Sequence, residues 1–270
     1  MGQKKLIKFA AIKEYNNVLE FPQDMQGKWA AFFDALKKGT STIDISSLSI
    51  SDGHFVSNVS SINKEDNATT PLTLELACGR GEYAVGLGRM FPEQHFIGID
   101  LKGNRIWKGA SIANKDGLTN VAFVRSQIEL TSNYFAKDEV DEIWITFPDP
   151  QLRWSKAKKR LTHPKFLRLY QQFLKKEGIV HLKTDSPVLY QFTKTIIDLY
   201  TLECEVDFDD AYRQTTISKE LAIQTHYEKL DIANSNKIHY LQFKVNKVLP
   251  TLLDVTLNER IHEQSDSGRG

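Results

Sequence analysis

Cysteine is nearly missing from this chain: Cys78 and Cys204 are the only two in 270 residues. Two thiols cannot make a disulfide framework or a multi-cysteine zinc cluster in a chain of this size, so a reducing compartment is the natural expectation. A dominant charge is missing as well. Lysine and arginine total 35 against 34 acids, a formal net charge of +1. An anionic polymer would therefore have to be held by local basic patches rather than by the overall field. No apolar stretch approaches about 18 residues, and the opening "MGQKKLIKFA" has lysines without the apolar core or small-residue cleavage site of a signal peptide. The expectation is a soluble, cytoplasmic protein with no membrane span. What is present, 41% hydrophobic and 26% charged residues, suffices for one main domain with appendages.

Residues 1–39 read as a basic and aromatic arm, within which "GKWAAFFDALKK" has the apolar spacing of a short amphipathic helix. Residues 40–70 turn to Ser, Thr, Asn and Asp and read as a polar insertion, either a hairpin or a mobile segment. From Pro71 short apolar runs alternate with helical patterns. "LTLEL", "HFIGID", "VAFV", "DEIWITF", "IVHLKT", "ECEVDF" and "KIHYLQFKV" are the seven expected strands. Helices are expected over "EYAVGLGRMF", "GNRIWKGASIANKDG", "HPKFLRLYQQFLKKEG" and "SPVLYQFTKTIIDLY". This is the pattern of βαβ units, an α/β fold with a mostly parallel sheet and helices on both faces, spanning 71–248. Residues 249–270 read as a frayed tail.

The first strand runs into "ELACGRGEY", where Gly79 and Gly81 permit a tight turn and close backbone approach to a ligand. Alone, this is equally a strand-to-helix turn with no ligand. Asp100, closing the second strand about 20 residues later, is placed to accept from both hydroxyls of a ribose. A dinucleotide would set its pyrophosphate on the first helix N-terminus with GxGxxG spacing. Glu75 and Glu82 make this neighbourhood acidic instead, which suits the sulfonium and ammonium of S-adenosylmethionine. "TFPDP", Thr146 to Pro150, ends the fourth strand and holds Asp149 between two prolines, either as a rigid presenter of an acid or as a simple strand stop. Arg153, Lys156, Lys158, Lys159 and Arg160 follow with Trp154 among them. Such a run is a solvated face by default, and beside a methyl-donor pocket it reads as a grip on nucleic-acid phosphates, with Trp154 stacking on a base or packing locally.

Taken together and in order, "LELACGRGEY", "FIGID", "WITFPDP", "KKRLTHPKFLRLY" and "IVHLKTDSPVLYQFT" resemble the bacterial tRNA (guanine-N7-)-methyltransferases over about Pro71 to Lys244. The resemblance implies a Rossmann-like class I methyltransferase fold, S-adenosylmethionine as cofactor, and methylation of a variable-loop guanosine of tRNA at position 46. It implies cofactor contacts at Glu75, Gly79, Gly81, Asp100, Gln127 and Asp149, with Asp149 also catalytic. Substrate contacts are implied at Arg153, Lys158, Lys159, Arg160, Asp185, Thr225, Tyr227 and Glu228. Asp185 could instead cap the helix beginning near Ser186, and Tyr227 could be core. No metal is implied, and a monomer is expected.

The chain also departs from that family. Ala77 replaces a loop glycine, which a small residue tolerates if φ there is negative. Gln127 replaces an aspartate beside the adenine, Arg153 replaces a lysine and changes the donor geometry, and His226 replaces a glutamate in the "THYE" loop. Other readings stay open. A methyltransferase of exocyclic amines would carry Asp/Asn-Pro-Pro-aromatic where this chain has "PDPQ". A nicotinamide oxidoreductase lacks its glycine order. A non-catalytic tRNA-binding protein of the same fold, or a methyltransferase acting on another RNA site, would share these features.

Overall fold

The computed structural model describes residues 2–40, 43–50, 70–230 and 236–267. In chain order the elements are α1 Gly2–Ile12, β1 Val18–Glu20, α2 Trp29–Lys37, β2 Leu72–Leu76, α3 Glu82–Met90, β3 His95–Asp100, α4 Gly103–Lys115, β4 Val121–Arg125, β5 Val140–Thr146, α5 Pro164–Tyr170, β6 Leu174–Thr184, α6 Pro187–Leu199, β7 Cys204–Phe208, β8 His239–Lys244 and α7 Leu253–Ser267. The sheet order is β1-β4-β3-β2-β5-β6-β8-β7. All pairings are parallel except β6 with β8 and β8 with β7.

Side chains alternate along the strands, so each strand feeds two cores. Leu72, Leu74, Leu76, Ile97, Val124, Ile143 and Ile145 face one layer with α2, α5, α6 and α7. Phe96, Val121, Phe123 and Trp144 face the other with α1, α3 and α4. The result is a Rossmann-like α/β sandwich. Strand order reverses between β2 and β5, and in open α/β sheets the crevice at such a switch point, beyond the carboxyl ends of the strands, is where ligands bind.

Four expectations are corrected. The sheet has eight strands: Val18, Leu19 and Glu20 pair in parallel with Phe123, Val124 and Arg125. The arm's Trp29, Phe32 and Phe33 are buried in the main core. The helix expected through Gly178 stops at Tyr170, because Phe173 and Leu174 are drawn into that core and the Val140 N–H bonds the Phe173 carbonyl at 3.1 Å, so tertiary pairing overrides local propensity. The expected frayed tail contains α7, whose Leu257 and Ile261 are buried. Arg168 reaches Asp254 from α5, and the Tyr200 hydroxyl donates to the same carboxylate. Of the polar insertion, Ile45–Ser47 form one helical turn and Ile43, Ile45 and Leu48 pack on the core. Residues 51–69 lie outside the described residues. Among the described residues no helix is long and apolar enough to cross a membrane.

Candidate active site at the carboxyl edge

Beyond β2 the backbone turns through Ala77 (φ +54°), Gly79 (φ +55°) and Gly81 (φ +68°) into α3. Ala77 therefore occupies the left-handed region, so the negative φ that would make a small residue harmless there is not adopted, and it carries about 1 kcal/mol of steric strain that glycine would avoid. Close packing imposes the turn. A Cβ on Gly81 would meet the Phe123 ring at 2.3 Å, and one on Gly98 of β3 would meet it at 2.7 Å. The ring fills the slot where turn and strand converge.

Gly81 opens α3 without a side chain to cap it, and Glu75 does so from the strand. Glu75 is 2% exposed, its Oε2 accepts the Ala84 N–H at 2.9 Å and its Oε1 accepts the Thr146 hydroxyl at 3.2 Å. Burial pushes its carboxyl up to about 8, although both hydrogen bonds favour the ionised form. A cation brought beside it would draw that proton off. Glu82 is also raised, by burial foremost. Asp100 ends β3, its Oδ2 accepting the Gly79 N–H at 3.0 Å and its Oδ1 the Lys102 N–H at 2.7 Å. A carboxylate has about four acceptor sites, so two remain for a diol. Gln127 is exposed just beyond β4, next to Ser126, whose N–H bonds the Asp100 carbonyl at 3.1 Å. This turn, with an acid at the next strand end, fits a cofactor bearing a ribose and cationic groups.

One strand over, β5 ends at Thr146 and the chain turns through Phe147 (φ +46°) and Gln151 (φ +48°), on either side of Pro148, Asp149 and Pro150. Pro148 is buried and Asp149 exposed. The Asp149 Oδ1 accepts the Gln151 N–H at 3.0 Å, leaving Oδ2 to meet a ligand.

Arg160 lies apart from the other basic residues. It is 3% exposed, and its Nε and Nη2 donate to the carbonyls of Pro150 and Gln151, each at 3.1 Å. Its guanidinium stacks 4.4 Å over Phe192 of α6. Burial brings it down to about 10, still charged at neutral pH. Arg160 thus braces the Asp149 turn from within and presents nothing to a phosphate. Arg153, Lys156, Lys158 and Lys159 are exposed on or beside the short 3-10 helix Trp154–Lys159, with Trp154 51% exposed among them.

Asp185 is half-buried just past β6, and the cap of α6 is Ser186, whose hydroxyl accepts the Leu189 N–H at 3.3 Å. Thr225 and Glu228 turn inward. The Glu228 N–H donates to the Thr225 hydroxyl at 3.1 Å, the Thr225 N–H donates to the Glu228 carboxylate at 3.3 Å, and that carboxylate pairs with buried Lys183 at 3.0 Å. Tyr227 lies 3.5 Å from where a Cβ on Gly79 would stand, with the Arg105 guanidinium 5.3 Å from its ring centre. Lys183 escaped the sequence reading, although a lysine inside the apolar run "IVHLKT" demands a partner.

The family described as "Putative methyltransferase" matches residues 69–241. A tRNA (guanine-N(7)-)-methyltransferase of Bacteroides thetaiotaomicron is 39% identical over 253 residues, 91% of this chain and 87% of the relative. One of Porphyromonas gingivalis is 50% identical over 174 residues, 64% of this chain and 70% of the relative. The solved structure of the 16S rRNA methyltransferase KamB aligns with a TM-score of 0.49 at 13% identity, over 64% of this chain and 87% of that one. The topology, the acid-lined turn and the span of these sequence matches agree: the chain belongs to the tRNA (guanine-N(7)-)-methyltransferase family.

Proposed function

We propose that this enzyme transfers a methyl group from S-adenosylmethionine to N7 of a variable-loop guanosine of tRNA, position 46, acting as a cytoplasmic monomer. The observation that carries this reading is the placement, just past the ends of adjacent strands β2 and β5, of the acid-lined turn at Gly79 and the braced, exposed Asp149. When bound, S-adenosylmethionine supplies an electrophilic methyl on a sulfonium. Glu75 and Asp100 would face its cationic and ribose ends, and Gln127 its adenine.

Guanine N7 already carries a lone pair outside the Watson-Crick face, so no base need remove a proton. The bound cofactor would supply its methyl to that lone pair, the N–C bond forming as the S–C bond breaks and the leaving electron pair staying on sulfur. The protein's part is then to position. The free Oδ2 of Asp149 accepts from the N1 and N2 hydrogens of a guanine drawn out of its stack, and Asp185 lies at the next strand end to share that edge. The methylated base is cationic, so these carboxylates also favour the charge that develops on it. Exposed Arg153, Lys156, Lys158 and Lys159 hold the flanking phosphates.

Incubation with labelled S-adenosylmethionine and unmodified tRNA, followed by digestion, should place the label in 7-methylguanosine. Label in another nucleoside refutes the proposed atom. Absence of label with intact tRNA binding favours the non-catalytic alternative.

A further inference from the structure

Among the described residues, the most enclosed cation lies beside this site and has no part in the mechanism above. Lys183 is fully buried near the end of β6. Its ammonium donates to the Leu221 carbonyl at 2.8 Å, the Ile223 carbonyl at 3.0 Å, the Glu228 carboxylate at 3.0 Å and the Tyr212 hydroxyl at 3.2 Å. The rings of Tyr83, Tyr212 and Phe147 surround it at 5.4 to 5.7 Å. Every hydrogen-bond partner of the ammonium belongs to the connection between β7 and β8, whose described residues have only the short turns Ala211–Arg213 and Glu228–Leu230 as regular structure. Its main-chain carbonyl accepts the Phe147 N–H at 2.8 Å, the first residue past β5. One lysine therefore joins the turn that carries Asp149 to the loop that carries Tyr227.

That loop spans the cofactor side of the sheet. A Cβ on Gly86 of α3 would strike Ile223 at 2.9 Å, the His226 N–H meets Glu82, and Tyr227 lies over Gly79. Gly79 is the residue whose N–H fixes Asp100.

We propose that Lys183 is a positioning residue: it latches the 212–228 loop so that Tyr227 closes over the turn that receives S-adenosylmethionine. The proposal rests on the cofactor reading above. Removal of the ammonium frees the loop, and the loss falls on cofactor affinity rather than on the chemical step. Loss of several charged hydrogen bonds predicts a rise of about tenfold or more in the KM and Kd for S-adenosylmethionine in Lys183→Met, with kcat at saturation changed far less. Trypsin should cut faster at exposed Arg213 and Lys219.

Lys183→Met alone leaves Glu228 buried and unpaired, which by itself lowers the melting temperature. The double variant Lys183→Met/Glu228→Gln removes that charge and should recover much of the melting temperature while cofactor affinity stays weak and the loop stays cleavable. Recovery of affinity together with melting temperature would make Lys183 a purely structural residue and overturn the proposal. So would unchanged affinity and trypsin resistance in Lys183→Met. A wild-type chain that fails to bind S-adenosylmethionine overturns the functional reading and the latch with it, whereas a binding wild type with an indifferent Lys183→Met overturns the latch alone.

Discussion

Arg160→Lys separates a brace from a phosphate grip, because it keeps the positive charge and removes the fork. In the native protein Nε and Nη2 reach two successive carbonyls, those of Pro150 and Gln151, while the planar group stacks on Phe192. A lysine ammonium reaches at most one of those carbonyls and does not stack in the same way. One hydrogen bond from a charged donor is lost, worth about 1.5–3 kcal/mol, and a half-buried carbonyl is left without its partner. The melting temperature should fall by roughly 3–6 °C for a chain of this size. The larger effect should be on turnover: with the turn unbraced Asp149 drifts, and misplacement by about 1 Å can cost on the order of a hundredfold. The assays are a melting curve, steady-state methylation and tRNA affinity across a salt series. The salt slope should stay as in the wild type, since Arg160 touches no phosphate. Normal kcat with a slope shallower by about one would refute the brace and return Arg160 to the RNA interface.

Asp149→Ala should abolish turnover while tRNA binding stays nearly intact; weak binding with normal turnover at saturation would remove Asp149 from the chemistry. Neutralising exposed Lys158 and Lys159 together should make the dependence of log affinity on log salt shallower by about 1.5 to 2, with kcat at saturation preserved. Ala77→Gly relieves a φ of +54° and should stabilise the fold by about 1 kcal/mol, read as a rise in melting temperature; a fall would show that the alanine methyl packs better than it strains. His163 caps α5 by accepting the Lys165 N–H at 3.0 Å, and burial lowers its imidazole to about 4. Its folded pKa lies below the ordinary value of about 6.5, so its contribution is whole above pH 6.5 and is lost as pH falls toward 4. His163→Asn keeps a capping oxygen, and its stability should fall by up to about 3 kcal/mol less than the wild type's across that window. Parallel curves would contradict this.

Element type was legible wherever periodicity was strong, as in β2 through α4, whose limits follow the apolar pattern closely. It was not legible where tertiary contact decides. Three residues of β1 have no signal beyond their pairing with β4, and the segment after Tyr170 has helical composition yet is pulled into β6. In α7 the signal is present in the sequence: Leu253, Leu257 and Ile261 recur at the spacing of one helix face. Motif spacing placed Asp100 and Asp149 at or just past strand ends, where the structure has them and where ligand contacts concentrate in such sheets. The direction of a side chain is another matter. Arg160 is one basic residue among five along the chain and differs from the others only in burial. Thr225 and Glu228 read as reaching for substrate, while their hydrogen bonds turn them toward each other and Lys183.

The measurement closest to the central claim is chain scission of tRNA after reaction, since 7-methylguanosine alone among the expected products sensitises the strand to borohydride and then aniline. End-labelled unmodified tRNA treated with enzyme and S-adenosylmethionine should break at one guanosine of the variable loop, and Asp149→Ala should leave it whole. Scission at guanosines elsewhere, or methyl label in tRNA without scission, would contradict the account.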